Sequence, residues 1–223
     1  MAKNKSRGPD AVVVIGLGRF GGAVAESLMR LGHEVLALDE NETIVENWAT
    51  QLTHVVQADT TNIDTLRRLG VDEFERAIVG IGTDIEASLM TVLALSELGV
   101  SDIWAKALGP KHGKLLTRTG AHHVIYPEAS MGERVAHLAT GKMIDFIEFD
   151  DGFAIAKTRA IKMCFGKTLA ECALRTRYGI TVVGVKRFGQ DFTYATPETR
   201  IEVGDLLIVS GATELVERFA ASD

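Results

Sequence analysis

Short apolar runs alternate with amphipathic stretches along the first part of the chain. The apolar runs predict β-strands, and the stretches between them have the spacing of helices that bury one face. A glycine follows four of these five helical stretches, as is common where a helix ends. The predicted strands are 11–15, 33–38, 54–57, 76–81, 102–106 and 122–126. The helices between them are one ended by Gly32 and those at 42–49, 63–69, 85–98 and 110–119.

Strict alternation of strand and helix determines the fold class. Strands separated by helices cannot pair as hairpins, so each connection must be a right-handed crossover. The sequence therefore predicts an α/β protein with a Rossmann-type doubly wound parallel sheet over residues 11–127. The expected strand order is 3-2-1-4-5-6.

The pattern changes in the last third of the chain. A helix predicted at 129–139 belongs to a connecting or subunit-contact segment, 128–143. Strands then follow closely, at 144–149 and 153–158, around an Asp-Asp-Gly turn typical of a hairpin. A helix at 168–176 and strands at 181–186 and 192–195 come next. The largely apolar stretch 201–211 and a helix at 213–220 complete the pattern. Residues 144–223 are thus predicted to form a small α+β lobe, and residues 1–10 a disordered lead.

Composition and charge narrow the function classes. The chain has 223 residues and a formal net charge of −6, which disfavours nucleic acid or an anionic membrane as its main partner. No apolar run approaches the roughly 20 residues of a membrane span, and the lead lacks the apolar core of a secretory signal. The two cysteines, Cys164 and Cys172, are typical of buried, reduced thiols. A cytoplasmic location without membrane insertion is expected.

The first candidate binding motif is Gly16-Leu17-Gly18-Arg19-Phe20-Gly21, which lies between a predicted buried strand and a helix. This context is the one that a dinucleotide fingerprint requires. Gly16 permits a tight turn, Gly18 lets phosphates approach the backbone, and Gly21 lets helix and strand pack closely. Asp39, at about the 20-residue spacing expected of a ribose ligand, would repel a 2′-phosphate. The sequence therefore predicts a nucleotide site.

Arg19 suggests which nucleotide. A dinucleotide has only a two-phosphate bridge at this loop, so a guanidinium there favours a terminal β- or γ-phosphate. The alternative is a surface arginine paired with a carboxylate.

Other polar residues follow the predicted strands, at the edge where ligands of parallel sheets bind. Asp59 could meet an adenine or cap the next helix. Thr83 and Asp84 have the same two alternatives, since both make good helix caps. Lys106 could offset phosphate charge. Glu128 could hold Mg²⁺ or Ca²⁺ beside the phosphates, or it could simply favour the helix dipole. The predicted site comprises Gly16, Gly18, Arg19, Phe20, Gly21, Asp39, Asp59, Thr60, Gly82, Thr83, Lys106 and Glu128.

Both halves of the chain resemble the RCK (regulator of potassium conductance) family, and in particular the cytosolic gating subunits of Ktr/Trk-type potassium uptake systems. The resemblance covers nearly the whole chain. It rests on the fingerprint stretch and on VVQADTTN, IVGIGTDIEASLMT, GAHHVIYPEASMGERVA, GKTLAECALRTRYGITVVGVKR and RIEVGDLLIVSG. It implies ATP or ADP in the first lobe, an octameric ring, and a membrane potassium channel or transporter as partner.

The resemblance also implies a second ligand in the C-terminal lobe. In Ktr-type relatives, positions matching Arg175, Tyr178 and Pro197 help to hold cyclic di-AMP between two lobes. The branched aliphatic pair of that pocket is Leu169-Ala170 in this chain. From the residues alone, Arg175 could equally interact with a helix dipole.

Three functions compete at this point. The resemblance implies a ligand-gated regulatory subunit that is not an enzyme. An NAD(H)-binding regulator or a small NAD-dependent oxidoreductase is the alternative, but the C-terminal lobe offers no His–Asp or Lys–Tyr constellation for hydride transfer. A transcription factor is disfavoured because the lead is too short for a DNA-binding helix pair.

Overall fold

The computed structural model describes residues 10–140, 143–149 and 151–222. The chain divides into two compact units, with the boundary between Glu128 and Ala129. The predicted disordered lead, apart from Asp10, lies outside the described residues, and so does the glycine (Gly141) expected after the connecting helix.

The first unit contains one parallel sheet of six strands. Their order is β3-β2-β1-β4-β5-β6, so the doubly wound topology predicted from the sequence is confirmed. Hydrogen bonding is parallel throughout, and the chain reverses its direction of winding after β3. The strands are β1 (Ala11–Ile15), β2 (Glu34–Asp39), β3 (His54–Gln57), β4 (Arg76–Val79), β5 (Asp102–Lys106) and β6 (His123–Ile125).

Five helices connect these strands, and several begin at side-chain caps. The Asn41 and Asn62 side chains accept hydrogen bonds from backbone N–H groups of the second and third helices, and Asp84 does so for the fourth. The helices are α1 (Arg19–Arg30), α2 (Glu42–Ala49), α3 (Ile63–Arg68), α4 (Ile85–Leu98) and α5 (Pro110–Thr119).

Hydrophobic residues cover both faces of this sheet. Alternate residues of β1 point to opposite sides, so Val13 packs in a cluster with Leu95 of α4, and Val14 in a cluster with Ala25 of α1. Every residue of β1 is buried. This strand therefore holds the following loop at a fixed position, at the carboxyl-terminal end of the parallel strands.

The second unit is built on an antiparallel sheet of five strands in the order β10-β9-β11-β8-β7. The predicted hairpin between β7 and β8 is present. Helix α6 (Pro127–Thr140) begins two residues before the unit boundary. The remaining elements are β7 (Met143–Phe149), β8 (Phe153–Arg159), α7 (Leu169–Cys172), α8 (Leu174–Tyr178), β9 (Thr181–Lys186), β10 (Phe192–Tyr194), β11 (Leu206–Ala212) and α9 (Thr213–Ala221).

The single helix predicted at 168–176 is wrong, because the structure has two short helices there. Ala173 separates them in the left-handed conformation, with φ 49°. Cys172 and Leu174 are both buried, and residues two apart point to nearly opposite sides of one continuous helix. The break lets both side chains enter the same core.

The two cysteines lie in that core. Both are free thiols, and the Cys172 Sγ lies 3.9 Å from the carbonyl oxygen of Cys164. Burial raises the pKa of the Cys164 thiol to about 12. Both therefore serve as small apolar core residues.

Candidate nucleotide-binding site

A cavity of about 660 Å³ opens at the carboxyl ends of the parallel strands. It lies where the chain reverses its winding, which is the general ligand position in this type of sheet. Of the predicted site residues, those that line it are Gly16, Gly18, Arg19, Phe20, Asp39, Asp59, Thr60, Gly82, Thr83, Lys106 and Glu128. Gly21 packs beneath the loop instead, and Arg175, Tyr178 and Pro197 belong to the second unit.

The glycine loop has the geometry that its sequence implies. Gly16 has φ +84°, and a side chain there would lie 3.0 Å from the backbone nitrogen of Ile81. A Cβ on Gly21 would lie 1.9 Å from the carbonyl oxygen of Gly16. Both positions therefore exclude any side chain, one by conformation and one by contact.

Gly18 has a different environment. It caps α1, no side chain accepts a hydrogen bond from the first turn, and a Cβ at Gly18 would meet nothing within 4 Å. Unpaired backbone N–H groups and the positive end of the helix dipole consequently face open space. This cradle fits a phosphate group.

Asp39 supports the loop as well as lining the cavity. Its carboxylate accepts hydrogen bonds from the backbone N–H of Leu17, at 2.6 Å, and of Asn41, at 2.9 Å. The residue is only 8% exposed. Its remaining lone pairs are the ones available to ribose hydroxyls.

A lysine–glutamate pair lies at the other side of the cavity. Lys106 Nζ is 2.6 Å from Glu128 Oε1; the lysine side chain is 11% exposed and the glutamate 65%. The hydrogen bond from Lys106 lowers the pKa of Glu128, and the charge of Arg19 contributes in the same direction. Lys106 Nζ also lies 5.9 Å from the centre of the Phe20 ring. Two cations and one carboxylate thus converge beside the loop.

The helix-cap alternatives can be decided. Asn62, not Asp59, caps α3; Asp59 accepts hydrogen bonds from the N–H and hydroxyl of Thr61, so the cap alternative for Asp59 is wrong. Asp84 rather than Thr83 caps α4. The hydroxyl of Thr60 pairs with that of Thr91 at 2.9 Å, below the cavity wall.

Within the described part of the chain, no group of three or more His, Cys, Asp or Glu side chains could hold a metal ion. A cation at Glu128 would therefore need oxygen ligands from a bound phosphate as well.

The predicted residues of the second unit lie around α7 and α8. The Arg175 guanidinium donates to the Thr181 hydroxyl at 2.9 Å. Tyr178 donates to the sulfur of Met163 at 3.5 Å. The carbonyl oxygen of Pro197 accepts a hydrogen bond from the N–H of Ala170. Arg175 is exposed, so its remaining donors are accessible to a ligand.

Each of the two units matches a known protein family. Residues 12–127 match the TrkA-N domain, and residues 162–222 match the TrkA-C domain. The chain belongs to the RCK family of TrkA-N/TrkA-C proteins. Relatives include the Ktr system potassium uptake proteins A and C of Bacillus subtilis, which are 38% and 37% identical. Each match covers 92% of this chain, and 93% and 94% of the respective relative.

Solved structures agree in fold. The RCK domain of GsuK matches with a TM-score of 0.68 and 20% identity, over 97% of this chain and 48% of that one. The GsuK channel bound to NAD matches with a TM-score of 0.51 and 27% identity, over 94% and 38% of the two chains. GsuK bound to ADP matches at 0.51 and 27%, over 61% and 35%. This chain thus spans less than half of these longer channel proteins.

Sequence reasoning missed one residue that shapes the TrkA-N site. The indole N–H of Trp48 donates to the carbonyl oxygen of Leu17 at 3.0 Å. Its ring also occupies the space beside Gly22, where a Cβ would lie 2.2 Å away. Together Trp48 and Asp39 hold both polar groups of the Leu17 backbone. The residues around Trp48 in the sequence do not indicate that its side chain contacts the glycine loop.

No described helix of the chain combines the length and the apolar character that membrane crossing requires.

Proposed function

We propose that this protein is a non-catalytic regulatory subunit of a membrane potassium uptake system, controlled by an adenine nucleotide in the TrkA-N site. The observation that carries the proposal is the 660 Å³ cavity, in which an uncapped helix N-terminus, Arg19 and Lys106 converge. The names of the Bacillus relatives support the potassium system as the context. In this proposal, 11–127 is the nucleotide-binding domain, 128–143 the connector and 144–223 the regulatory lobe.

ATP and ADP are the proposed ligands. Backbone N–H groups serve any diphosphate equally, whereas Arg19 can add a contact to a terminal phosphate. Lys106 would neutralise phosphate charge, and Glu128 would join a bridging Mg²⁺ or Ca²⁺. A nucleotide shifts the protein between conformations only by binding one of them better, so no hydrolysis is needed.

NAD(H) is the second candidate ligand. Asp39 lines the cavity with free lone pairs, as a ribose-binding carboxylate does. GsuK, at 27% identity, is a channel solved with NAD and also with ADP. A regulator that senses NAD(H) fits the same cavity, and a small NAD-dependent oxidoreductase is the enzymatic version of this alternative.

We extend the proposal to the C-terminal lobe and the assembly. Cyclic di-AMP would bind between two lobes near Arg175, Tyr178 and Pro197. Met131 and Val135 of α6 are 55% and 52% exposed, and a second copy of this chain is the proposed partner for that apolar surface. An octameric ring at the cytoplasmic side of a membrane potassium transporter is the expected assembly.

A thermal-shift panel tests the ligand assignment. The full chain is heated with ATP, ADP, NAD⁺, NADH, cyclic di-AMP or adenosine, with and without Mg²⁺. Bound ligand raises the Tm by mass action, so the shifts rank the ligands. ATP and ADP should give the largest shifts, and adenosine, which lacks phosphates, almost none. Larger shifts with NAD⁺ or NADH would select the second candidate, and no shift with any nucleotide would refute the proposal.

Light scattering tests the assembly separately. A mass of several protomers, eight in a complete ring, is expected. A monomer at micromolar concentration would exclude the ring.

A further inference from the structure

A second cavity, of about 460 Å³, lies entirely within the C-terminal unit. Four positive side chains line it, together with three apolar residues and two glycines. The residues are Lys157, Arg159, Lys186, Arg187, Ile144, Leu206, Phe188, Gly189 and Gly204. Arg175, Tyr178 and Pro197 do not line it. We call it the cationic cavity.

Sheet register brings the cations together. Leu206 of β11 is the cross-strand partner of Arg159 on one side and of Lys186 on the other. Directly opposite residues of an antiparallel sheet point to the same face. Lys157, two residues before Arg159, therefore points to that face as well. Three cations from two strands surround one leucine.

Acidic residues neutralise only part of this charge. Arg187 donates two hydrogen bonds of 2.8 Å to the carboxylate of Asp205, which is 1% exposed. Lys157 lies opposite Asp145, whose carboxylate also accepts a hydrogen bond from Arg134. Glu202 contributes a weaker attraction to Arg187. The structure therefore supplies acids for Arg187 and Lys157.

Neither Arg159 nor Lys186 has an acidic partner among the residues that the structure describes. Over residues 10–140, 143–149 and 151–222, no ion pair involves either side chain, and Lys186 donates only to the backbone carbonyl of Gln190. The cavity thus has an excess of about two positive charges in a chain whose net charge is −6. Arg159 and Lys186 lie two strand spacings apart, roughly 10 Å, on either side of Leu206. Like charges repel at this distance, so an anion bound between them would be stabilised by both.

The rim is open and carries an aromatic ring. Phe188 is 100% exposed in the turn between β9 and β10. Gly189 and Gly204 have no neighbour within 4 Å of a hypothetical Cβ, so both leave free space at the mouth. A ligand larger than a bare ion can enter beside the ring.

We propose that the cationic cavity binds a phosphomonoester dianion. A phosphomonoester carries a charge of about −1.5 to −2 at pH 7 and three strong acceptor oxygens, which matches the excess charge and the converging donors. A phosphodiester carries only one negative charge and matches less well. The ligand is either a soluble phosphorylated molecule or a lipid with a phosphomonoester headgroup, since both present the same group. None of the residues lining the cationic cavity belongs to the TrkA-N cavity.

Calorimetry with glycerol 3-phosphate and with dimethyl phosphate, a diester, tests the soluble source on the full chain at pH 7.5. Vesicles of phosphatidylcholine with and without phosphatidic acid test the lipid source by co-sedimentation. The test variant is Arg159→Gln/Lys186→Gln, which removes the two cations that have no acidic partner among the described residues. The matched control is Arg177→Gln/Arg218→Gln, which removes two exposed positive charges from the same unit outside the cavity.

The wild type and the control should bind glycerol 3-phosphate or phosphatidic acid vesicles, and dimethyl phosphate more weakly. The test variant should bind at least about tenfold more weakly, since one lost charged hydrogen bond is worth one tenfold step or more. Its Tm without ligand should equal that of the control, which excludes unfolding as the cause. Binding of neither the soluble phosphomonoester nor the vesicles would overturn the proposal. Equal binding by the test and control variants would overturn it too.

Discussion

The two cavities of this protein both present positive charge to a ligand, but they are built from different parts of the chain. The TrkA-N cavity uses backbone: glycines bring N–H groups and a helix dipole to the edge of a parallel sheet. The cationic cavity uses side chains that project from the face of an antiparallel sheet. The first should therefore be sensitive to backbone packing and the second to charge.

The ion pairs of the two cavities differ in how exposed the acidic partner is. Lys106 and Glu128 join a partly buried cation to an acid that is 65% exposed, so solvent or a ligand can replace the acid. Arg187 and Asp205 join a half-exposed cation to an acid that is 1% exposed. The first pair can open during binding, whereas the second holds a loop in place.

The largest expected effect comes from Gly21→Ala. The added Cβ would lie 1.9 Å from the backbone oxygen of Gly16, so the loop or α1 must shift. We expect a loss of about 3 kcal/mol in the free energy of unfolding, the upper part of the range for overpacking. Nucleotide binding should be lost as well. Urea unfolding and the thermal-shift panel measure the two effects.

Gly18→Ala is the matched control. Its Cβ meets nothing within 4 Å, so stability should fall by less than about 1 kcal/mol, the cost of a poorer N-cap. If both variants are equally unstable, close packing at Gly21 is not the special feature of this loop.

Next in size is Asp205→Asn in the second unit. The carboxylate accepts two hydrogen bonds from Arg187 and one from the N–H of Glu202. Its loss should destabilise the unit by about 2–3 kcal/mol at pH 7. Asp191→Asn, an exposed change in the neighbouring turn, should cost less than about 0.5 kcal/mol. Equal urea midpoints for the two variants would contradict a structural role for the Arg187–Asp205 pair.

The same variant has a distinct pH signature. The hydrogen bonds from Arg187 lower the pKa of Asp205 in the folded state. The corresponding stability is therefore complete above the unfolded pKa of about 3.9 and is lost as the pH falls through the lower folded value. Unfolding curves between pH 7 and pH 2.5 should show this loss in the wild type, and a smaller one in Asp205→Asn.

Arg19→Ala tests whether the arginine of the glycine loop makes the protein bind ATP more tightly than ADP. ATP affinity should fall roughly 10–100-fold, from about 1.5–3 kcal/mol of charged hydrogen bonding, and ADP affinity much less. Calorimetry with both nucleotides measures the difference. Equal losses for ATP and ADP would make Arg19 a general phosphate contact.

The smallest effect is expected for Glu128→Gln. Removing this exposed acid leaves Lys106 free for phosphate, and exposed pairs are worth at most about 1 kcal/mol. Metal-free ATP affinity should therefore change by less than about fivefold. Any increase of ATP affinity by Mg²⁺ or Ca²⁺ should disappear. A metal effect that persists in this variant would exclude Glu128 as a ligand.

The sequence by itself determined the order of the elements and the position of the first site. Hydrophobic period, glycine stops and the spacing from Gly16 to Asp39 are local features, and parallel strands place their carboxyl ends at one edge. Residues as distant as Gly16 and Lys106 could therefore be assigned to one cavity. Element boundaries mostly agreed to within two residues, and the main failure was at Ala173, where burial of two side chains overrode helical continuity.

Tertiary structure decided how those residues interact. Asp39 and Trp48 fix the backbone of Leu17, and Lys106 pairs with Glu128; each contact joins residues more than 20 positions apart. The cationic cavity depends on the register of three strands, in which a slip of one residue would turn Arg159 to the opposite face. Local sequence patterns specify which face of a strand or helix a side chain occupies. Only the packing and register of the sheets determine which side chains, distant in the sequence, lie together on that face.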